Sequence, residues 1–402
     1  MTEPGINTLF VAIACGGTGG HLFPGLAVAE QLTRRGCGVA LLISPKEIDQ
    51  QAVKCARGME IITLPAVALQ NHNYFSFAGS FLKSLFAARK IFRRRKPGAV
   101  LAMGGFTGAP PVWVGRDFGA KTFLHESNTI PGRANRLLAR FVDEAFVGFP
   151  EAAGRLKARK VMTTGTPVRP QFSPNARPRT PDPDCRIALG LEPDRPTVLV
   201  VGGSQGASGM NGMILSALPL LAERNWQWLH LTGAKDFEKV KAAYAAHGLR
   251  AVVKPFLAEM DLALGAATVA VSRAGASSLA ELAAMRVPSL LVPFPAAANN
   301  HQFYNARALE ATGAARLLEQ KGATPEKVAA AVTELVGNGT ARFQMQTALA
   351  QWHAPRAAEQ IAENILSACW SSSFSLREKN RPKPEPRQSR SRKPEQEHFS
   401  AA

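Results

Sequence analysis

The chain has 402 residues, 46% of them hydrophobic and 19% charged, so it is long enough to form two domains with separate cores. Its 48 Lys and Arg residues outnumber 30 Asp and Glu, and this net charge of +18 suggests an anionic partner, either nucleic acid or an anionic membrane. No apolar run approaches the roughly 18 residues of a membrane span, and the first residues lack the basic start of a signal peptide, so we expect neither.

The first predicted element is a strand from Leu9 to Ala14, which leads into a loop with glycine at four of the five positions 16–20. A helix is predicted from Leu26 to Arg35, and Gly36 is a suitable stop. Glycine lets a ligand approach the backbone, and the unpaired N–H groups of a helix N-terminus attract anions. This stretch therefore predicts a phosphate site.

The spacing of this loop excludes two common nucleotide motifs. A dinucleotide fingerprint needs a third glycine where Leu22 stands, and a Walker loop needs lysine where His21 stands. An ordinary tight turn is the remaining alternative, but it does not require four glycines.

Two more apolar strands run into glycine loops. Ala99–Met103 precedes Gly104–Gly108, and Thr197–Val201 precedes Gly202–Ala207. Further strands are predicted at 226–231, 251–256, 268–272 and 289–292, with helices at 237–246 and 277–285. This alternation predicts an α/β protein with two facing doubly wound domains, parallel sheets and a substrate between them.

Composition suggests where the domains divide. We expect a first domain at 1–169, a linker at 170–185 and a second domain at 186–353, followed by a helix at 354–370 that packs back on the first domain. Residues 371–402 carry eight Lys and Arg against four Asp and Glu, with few apolar residues, and are predicted to be a disordered basic tail. Five cysteines without metal spacing fit a reducing cytosol.

The segment from Gly16 to Ala29 closely resembles the opening motif of the MurG-type N-acetylglucosaminyltransferases of peptidoglycan synthesis. Further matching stretches follow in the same order, over roughly residues 9–366: Met103–Phe106, His125–Asn128 with Gly132 and Asn135-Arg136, Val201–Ala207, Ser272–Ala276 continuing to Glu281, and Asn300–Ala306. Ordered agreement of several motifs is far more specific than one motif.

The resemblance implies a GT-B enzyme that needs no cofactor and no catalytic metal. It would move N-acetylglucosamine from UDP-GlcNAc to the muramoyl 4-hydroxyl of lipid I, with inversion, to give lipid II. It also implies a peripheral protein at the cytoplasmic face of the inner membrane, with room for contacts to other cell-wall synthesis proteins. A basic nucleic-acid-binding protein is an alternative from another class, but the sequence shows no RNA-module signature and no zinc spacing, so we expect no nucleic-acid partner. The alternative is another UDP-sugar enzyme on this fold, such as a 2-epimerase or a glycolipid transferase. Asp182-Pro183-Asp184 has the letters of a metal motif but is interpreted as turn chemistry.

The resemblance also implies a set of site residues. His21 would be the catalytic base, with the His125-Glu126 pair as its competitor; Gly104, His125 and Glu126 would lie on the acceptor side. The UDP-GlcNAc site would comprise Thr18, Gly19, Gly20, Asn128, Arg169, Ser204, Leu257, Ala276, Ser277, Ser278, Leu279, Ala280, Glu281 and Gln302. Arg169 and Ser204 would bind the diphosphate, Glu281 the ribose hydroxyls, and Asn128 and Gln302 the sugar. Thr166 and Ser127 depart from the Asn and Gln common in the family.

Because the implied acceptor is a lipid, we expect a segment that binds the membrane surface, and residues 74–96 have a suitable pattern. Phe77, Phe81, Leu85, Ala88 and Phe92 recur at helical spacing, and seven Lys and Arg fall between Lys83 and Lys96 with no acidic residue. We expect this segment to dock on an anionic membrane surface. The alternative is a core-facing helix with a solvated basic back.

Overall fold

The computed structural model describes residues 8–17, 19–46, 59–65, 74–172, 181–203 and 207–379, without the side chains of 74–77 and 371–379. Within these ranges the chain forms two sheets in which every strand pairs in parallel, seven strands in the first and six in the second. The predicted pair of doubly wound domains is confirmed.

The first sheet has the strand order β3-β2-β1-β4-β5-β6-β7. Its strands are β1 (Phe10–Ala14), β2 (Gly38–Ile43), β3 (Glu60–Thr63), β4 (Ala99–Ala102), β5 (Lys121–Glu126), β6 (Glu144–Val147) and β7 (Val161–Thr163). Its helices are α1 (Gly19–Arg34), α2 (Tyr74–Arg94), α3 (Ala109–Asp117), α4 (Arg133–Leu138) and α5 (Pro150–Ala153). In β1, Val11 and Ile13 enter one core and Ala12 and Ala14 the core on the opposite face, which explains why the strand has no polar side.

The second sheet has the order β10-β9-β8-β11-β12-β13. Its strands are β8 (Thr197–Val201), β9 (Gln227–Leu231), β10 (Ala251–Lys254), β11 (Val269–Ser272), β12 (Ser289–Leu291) and β13 (Arg316–Leu317). Its helices are α6 (Pro183–Ala188), α7 (Ser208–Ala217), α8 (Phe237–Ala246), α9 (Met260–Ala266), α10 (Ala276–Met285), α11 (His301–Ala311), α12 (Pro325–Gly337) and α13 (Gly339–Trp352). The order reverses between β8 and β11, as it does between β1 and β4, and such switch points open a crevice for ligands.

The last helix, α14 (Ala357–Lys379), returns to the first domain. Its apolar face, which includes Ile361, Ile365 and Leu366, is buried in the same core as α1 and β1. Composition predicts disorder from residue 371, but residues 371–379 are helical, so the prediction is wrong for this stretch. Residues 380–402 lie outside the described part of the chain.

The two described ends of the segment between the domains are more ordered than its composition predicts. Phe172 is fully buried in the core of the second domain, and α6 begins at Pro183, inside the expected linker 170–185. Asp182 caps α6, because its Oδ1 accepts a hydrogen bond from Asp184 N at 2.9 Å. The Asp182-Pro183-Asp184 motif therefore stabilises the start of α6.

Candidate active site

The carboxyl ends of β1, β4 and β5 face the second domain across a cleft, and the first two glycine loops meet there. Thr107 Oγ1 donates to Gly16 O at 2.8 Å, which ties the second glycine loop to the first. Lys46 Nζ donates to Gly17 O at 3.0 Å and places a cation beside the loop. Lys46 follows β2, and no motif in the sequence identified it.

His21 lies against the backbone of the second glycine loop. A Cβ atom on Gly104 would come within 3.0 Å of His21 Nε2, and one on Gly105 within 3.2 Å of His21 Cε1. Gly104 also has φ of +113°, a conformation that L side chains rarely adopt. Glycine at 104 therefore makes room for the imidazole at the cleft.

His125 is fully buried at the end of β5, and both of its ring nitrogens have partners. Nε2 lies 3.1 Å from Gly165 O, so it must donate, and Nδ1 then accepts from Ser127 Oγ at 3.3 Å. Burial lowers the pKa of His125 to about 4, which keeps the ring neutral. A ring held in this way has no nitrogen left to take a proton from an acceptor.

Glu126, the other member of the competing pair, is committed to the loop that follows it. Its Oε1 accepts from the backbone and side-chain nitrogens of Asn128 at 2.9 and 3.0 Å. Its Oε2 accepts from Gly132 N at 3.0 Å and Asn135 Nδ2 at 2.7 Å. These contacts give Glu126 a positioning role and leave His21 as the stronger candidate base.

The N-termini of α1 and α10 meet across the cleft. Although propensity predicts a helix start at Leu26, α1 begins at Gly19 and contains Pro24. Proline has no N–H, so Gly20 O loses its usual partner four residues on. That carbonyl instead accepts a hydrogen bond from Ser277 Oγ of α10 at 2.9 Å.

Arg169 is 7% exposed and lies between two aromatic rings at the domain junction. Its guanidinium carbon is 4.2 Å from the ring centroid of Phe23 and 5.1 Å from that of Phe172. Within the described residues its Nε has no hydrogen-bond partner. A buried guanidinium with an unused donor is suited to binding an anion.

Glu281 faces this cation from α10. Burial raises the pKa of Glu281 to about 7, and the Arg169 charge opposes that rise. The carboxyl therefore changes its ionisation near neutral pH, at a point where the predicted nucleotide would lie.

The other predicted donor-site residues that the structure describes lie in the second domain. Gln302 on α11 accepts a hydrogen bond from Phe294 N at 2.9 Å through Oε1, which fixes the orientation of its amide. Leu257, between β10 and α9, is 9% exposed. The run 276–281 forms the first turn and a half of α10. Thr18 and Ser204 lie outside the described residues.

Within the described ranges, no group of three or more His, Cys, Asp and Glu side chains is arranged to hold a metal ion. The same part of the chain has no helix long and apolar enough to cross a membrane.

Two Rossmann-like domains facing one cleft define the GT-B class of glycosyltransferase. Residues 11–147 match the family model described as the glycosyltransferase family 28 N-terminal domain, and residues 197–361 match that family's C-terminal domain.

The curated relatives narrow this class. A UDP-N-acetylglucosamine–N-acetylmuramyl-(pentapeptide) pyrophosphoryl-undecaprenol N-acetylglucosamine transferase of Anaeromyxobacter sp. is 38% identical over 359 residues, which cover 87% of this chain and 91% of the relative. One of the same name from Xylella fastidiosa is 38% identical over 89% of this chain and 96% of its own. The chain belongs to this family of N-acetylglucosamine transferases.

The solved structures agree with this assignment. The crystal structure of Acinetobacter baumannii MurG has a TM-score of 0.70 and 29% identity, over 90% of this chain and 99% of that one. A putative UDP-N-acetylglucosamine 2-epimerase from Listeria monocytogenes has a TM-score of 0.66 but only 15% identity over 92% and 97%, and this likeness shows the fold alone. The predicted family and GT-B fold are confirmed.

Proposed function

We propose that the protein transfers N-acetylglucosamine from UDP-GlcNAc to the muramoyl 4-hydroxyl of lipid I, with inversion, to form lipid II. Besides family membership, one observation carries this proposal: the Ser277–Gly20 hydrogen bond brings the N-termini of α1 and α10 together. Each N-terminus presents unpaired N–H groups and a positive dipole end. The cleft is therefore suited to a diphosphate.

In the proposed reaction the acceptor oxygen attacks C1 of the sugar from the side opposite UDP. A bond forms between that oxygen and C1, the bond from C1 to the phosphate oxygen breaks, and UDP leaves with the electron pair. His21 takes the hydroxyl proton as the attack proceeds. Negative charge grows on the diphosphate, where Arg169 and the helix N-termini stabilise it.

The direct test is mass spectrometry after incubation of the purified protein with lipid I and UDP-GlcNAc. We expect the mass of the acceptor to increase by one N-acetylhexosamine residue, together with release of UDP. Conversion of UDP-GlcNAc without acceptor, to an isomer of the same mass that separates on chromatography, would instead indicate the epimerase alternative.

UDP-GlcNAc binding is expected to tighten by about tenfold between pH 6 and pH 8, because a carboxyl with a pKa of about 7 becomes ionised over this range. Only the carboxylate of Glu281 can accept hydrogen bonds from both ribose hydroxyls. Calorimetry with UDP-GlcNAc measures this cleanly, since its diphosphate does not titrate near neutral pH.

The matched variants for this pH series are Glu281→Gln and His21→Gln. The first should bind more weakly and lose the slope, whereas the second should keep it. An unchanged slope in Glu281→Gln would show that another group controls the pH dependence.

We also propose that the first domain docks on the cytoplasmic face of the inner membrane, but through a different face of α2 from the one its periodicity predicts. Ala88 and Phe92 are fully buried in the core, so the expected apolar face turns inward there. Among the side chains of α2 that the structure describes, the large apolar ones that are exposed are Leu82, at 52%, and Phe86, at 71%; the side chain of Phe77 lies outside the described part.

Neighbouring elements extend this surface. Phe81 of α2 packs against Trp113 of α3 with 5.4 Å between ring centroids, and Trp113 packs against Phe141 at 6.1 Å. Leu137 of α4 is 51% exposed. Exposed basic side chains lie along α2: Lys83, Lys90, Arg93 and Arg94. Apolar and basic groups on one surface favour binding to anionic lipid.

Charge reversal at Lys90, Arg93 and Arg94 is expected to abolish flotation with vesicles that contain anionic lipid, because each basic residue near such a surface contributes about 1 kcal/mol. Arg95 is left unchanged, since its guanidinium lies 4.1 Å from the Phe10 ring centroid and pairs with Glu60, and its loss would disturb the fold. The matched control reverses Lys235, Lys239 and Lys241 in the second domain, with the same change in net charge. Equal loss of binding in both variants would contradict a specific docking face.

A further inference from the structure

Asn305, on α11 of the second domain, is fully buried, and most of its hydrogen bonds cross to the first domain. Its Oδ1 accepts from both N and Oγ1 of Thr129, each at 2.9 Å. Its Nδ2 donates to Asn128 Oδ1 at 3.0 Å and to Ala274 O at 3.2 Å. Three of these four contacts join residues 176 or 177 positions apart.

On the first-domain side, these contacts end on a loop that has its own internal support. Glu126 holds the backbone and side chain of Asn128, as well as Gly132 and Asn135. Asn128 thus has its Nδ2 bonded to Glu126 and its Oδ1 to Asn305. Its amide is fixed from one side by its own domain and from the other by the opposite domain.

On the second-domain side, Asn305 contacts Ala274, in the loop that leads into α10. The nearby Ser277–Gly20 hydrogen bond also crosses the cleft. Asn305 therefore lies where the backbone before the nucleotide helix meets the loop after β5, and it contacts both.

We infer that Asn305 is a positioning residue that makes the orientation of Asn128 depend on the approach of the two domains. This inference rests on the proposed function, in which Asn128 reads the donor sugar. The groups that hydrogen-bond across the cleft at Asn305 are all polar, so they can bind water when the domains separate. When the domains close again, the hydrogen bonds between these groups form again. The amide of Asn128 is then fully held only when the cleft is closed.

The test is Asn305→Ala with two readouts. We expect kcat/KM for UDP-GlcNAc to fall by about 10- to 50-fold, while affinity for UDP, which has no sugar, stays within about twofold of the wild type. If the role of Asn305 were purely structural, the substitution would lower kcat/KM for UDP-GlcNAc and the affinity for UDP together. Thr129→Val, which removes one of the crossing bonds from the other domain, should show a smaller loss of the same kind and provides a second route if Asn305→Ala does not fold.

Gln227→Ala is the matched control, because Gln227 is another buried amide and, in the described part of the chain, it bonds only within the second domain, to Glu192, Arg195 and Thr197. It begins β9, at the end of the sheet remote from the cleft. We expect a lower Tm but unchanged UDP-GlcNAc kinetics at a temperature where the variant is folded.

A double-mutant cycle with Asn128→Ala decides whether Asn305 acts through Asn128. We expect the double variant to be no slower than Asn128→Ala alone, since both substitutions remove the same arrangement. Losses that multiply, or an equal loss of UDP affinity in Asn305→Ala, would overturn the inference. Absence of transfer by the wild-type protein would instead refute the proposed function, so the two failures are distinguishable.

Discussion

His21→Gln is expected to reduce kcat by about 10²–10⁴ while UDP-GlcNAc affinity stays near that of the wild type, as for removal of a general base. Glutamine keeps a polar group beside Gly104 and Gly105 but cannot take up a proton. The change should also remove the fall in kcat at acidic pH that results from protonation of the base. Steady-state kinetics against pH, together with calorimetry for the donor, measure both effects.

The control for this experiment is His125→Gln. Because both ring nitrogens of His125 bond within the first domain, its replacement should mainly lower the Tm. A loss of less than tenfold in His21→Gln, or a folded His125→Gln variant with the larger loss in kcat, would transfer the role of base to the His125-Glu126 pair.

Arg169→Met is expected to weaken UDP binding by about 10- to 100-fold, the effect of losing a charge-assisted contact worth about 1.5–3 kcal/mol. Methionine retains apolar contact with Phe23 and Phe172 but removes the charge. Since Arg169 holds down the pKa of Glu281, the midpoint of the pH dependence of UDP-GlcNAc binding should also move upward. Calorimetry over a pH series reports both changes.

Arg186→Met separates nucleotide binding from general stability. Arg186 is a buried arginine of the second domain whose guanidinium donates to Ala266 O, Pro193 O and Thr268 Oγ1. Its replacement should lower the Tm without changing UDP affinity. If Arg186→Met weakens UDP binding as much as Arg169→Met does, the assignment of Arg169 to the diphosphate is wrong.

The sequence predicts seven of the thirteen described strands, and these lie close to the positions it gives them. Apolar runs such as Thr197–Val201 coincide with the observed strand, because a strand buried on both faces must be apolar throughout. The other predicted strand ends coincide with the observed ends or lie within two residues of them. The sequence also predicts the first glycine loop, since an ordinary tight turn does not require four glycines in five positions.

Local rules fail where another part of the chain decides the structure. Glycine and proline predict no helix before Leu26, but α1 begins at Gly19 and its N-terminus is bonded to Ser277 of the other domain. The periodicity of α2 predicts an apolar face but does not show whether that face packs against the core or lies on the surface. The contacts of Asn305 with Thr129 and Asn128 join residues more than 170 positions apart, and motif spacing along the sequence does not predict such pairs.

The position of α14 has a consequence for how the chain folds as it is synthesised. Apart from Phe149 and Phe172, the buried core of the second domain comes from residues 181–352, so this core can be completed as soon as the chain up to residue 352 has left the ribosome. The first domain is made earlier, but its core lacks Ile361, Ile365 and Leu366 until α14 has been synthesised. The apolar groove beside α1 stays exposed until these side chains cover it. The domain that is encoded first therefore completes its core last.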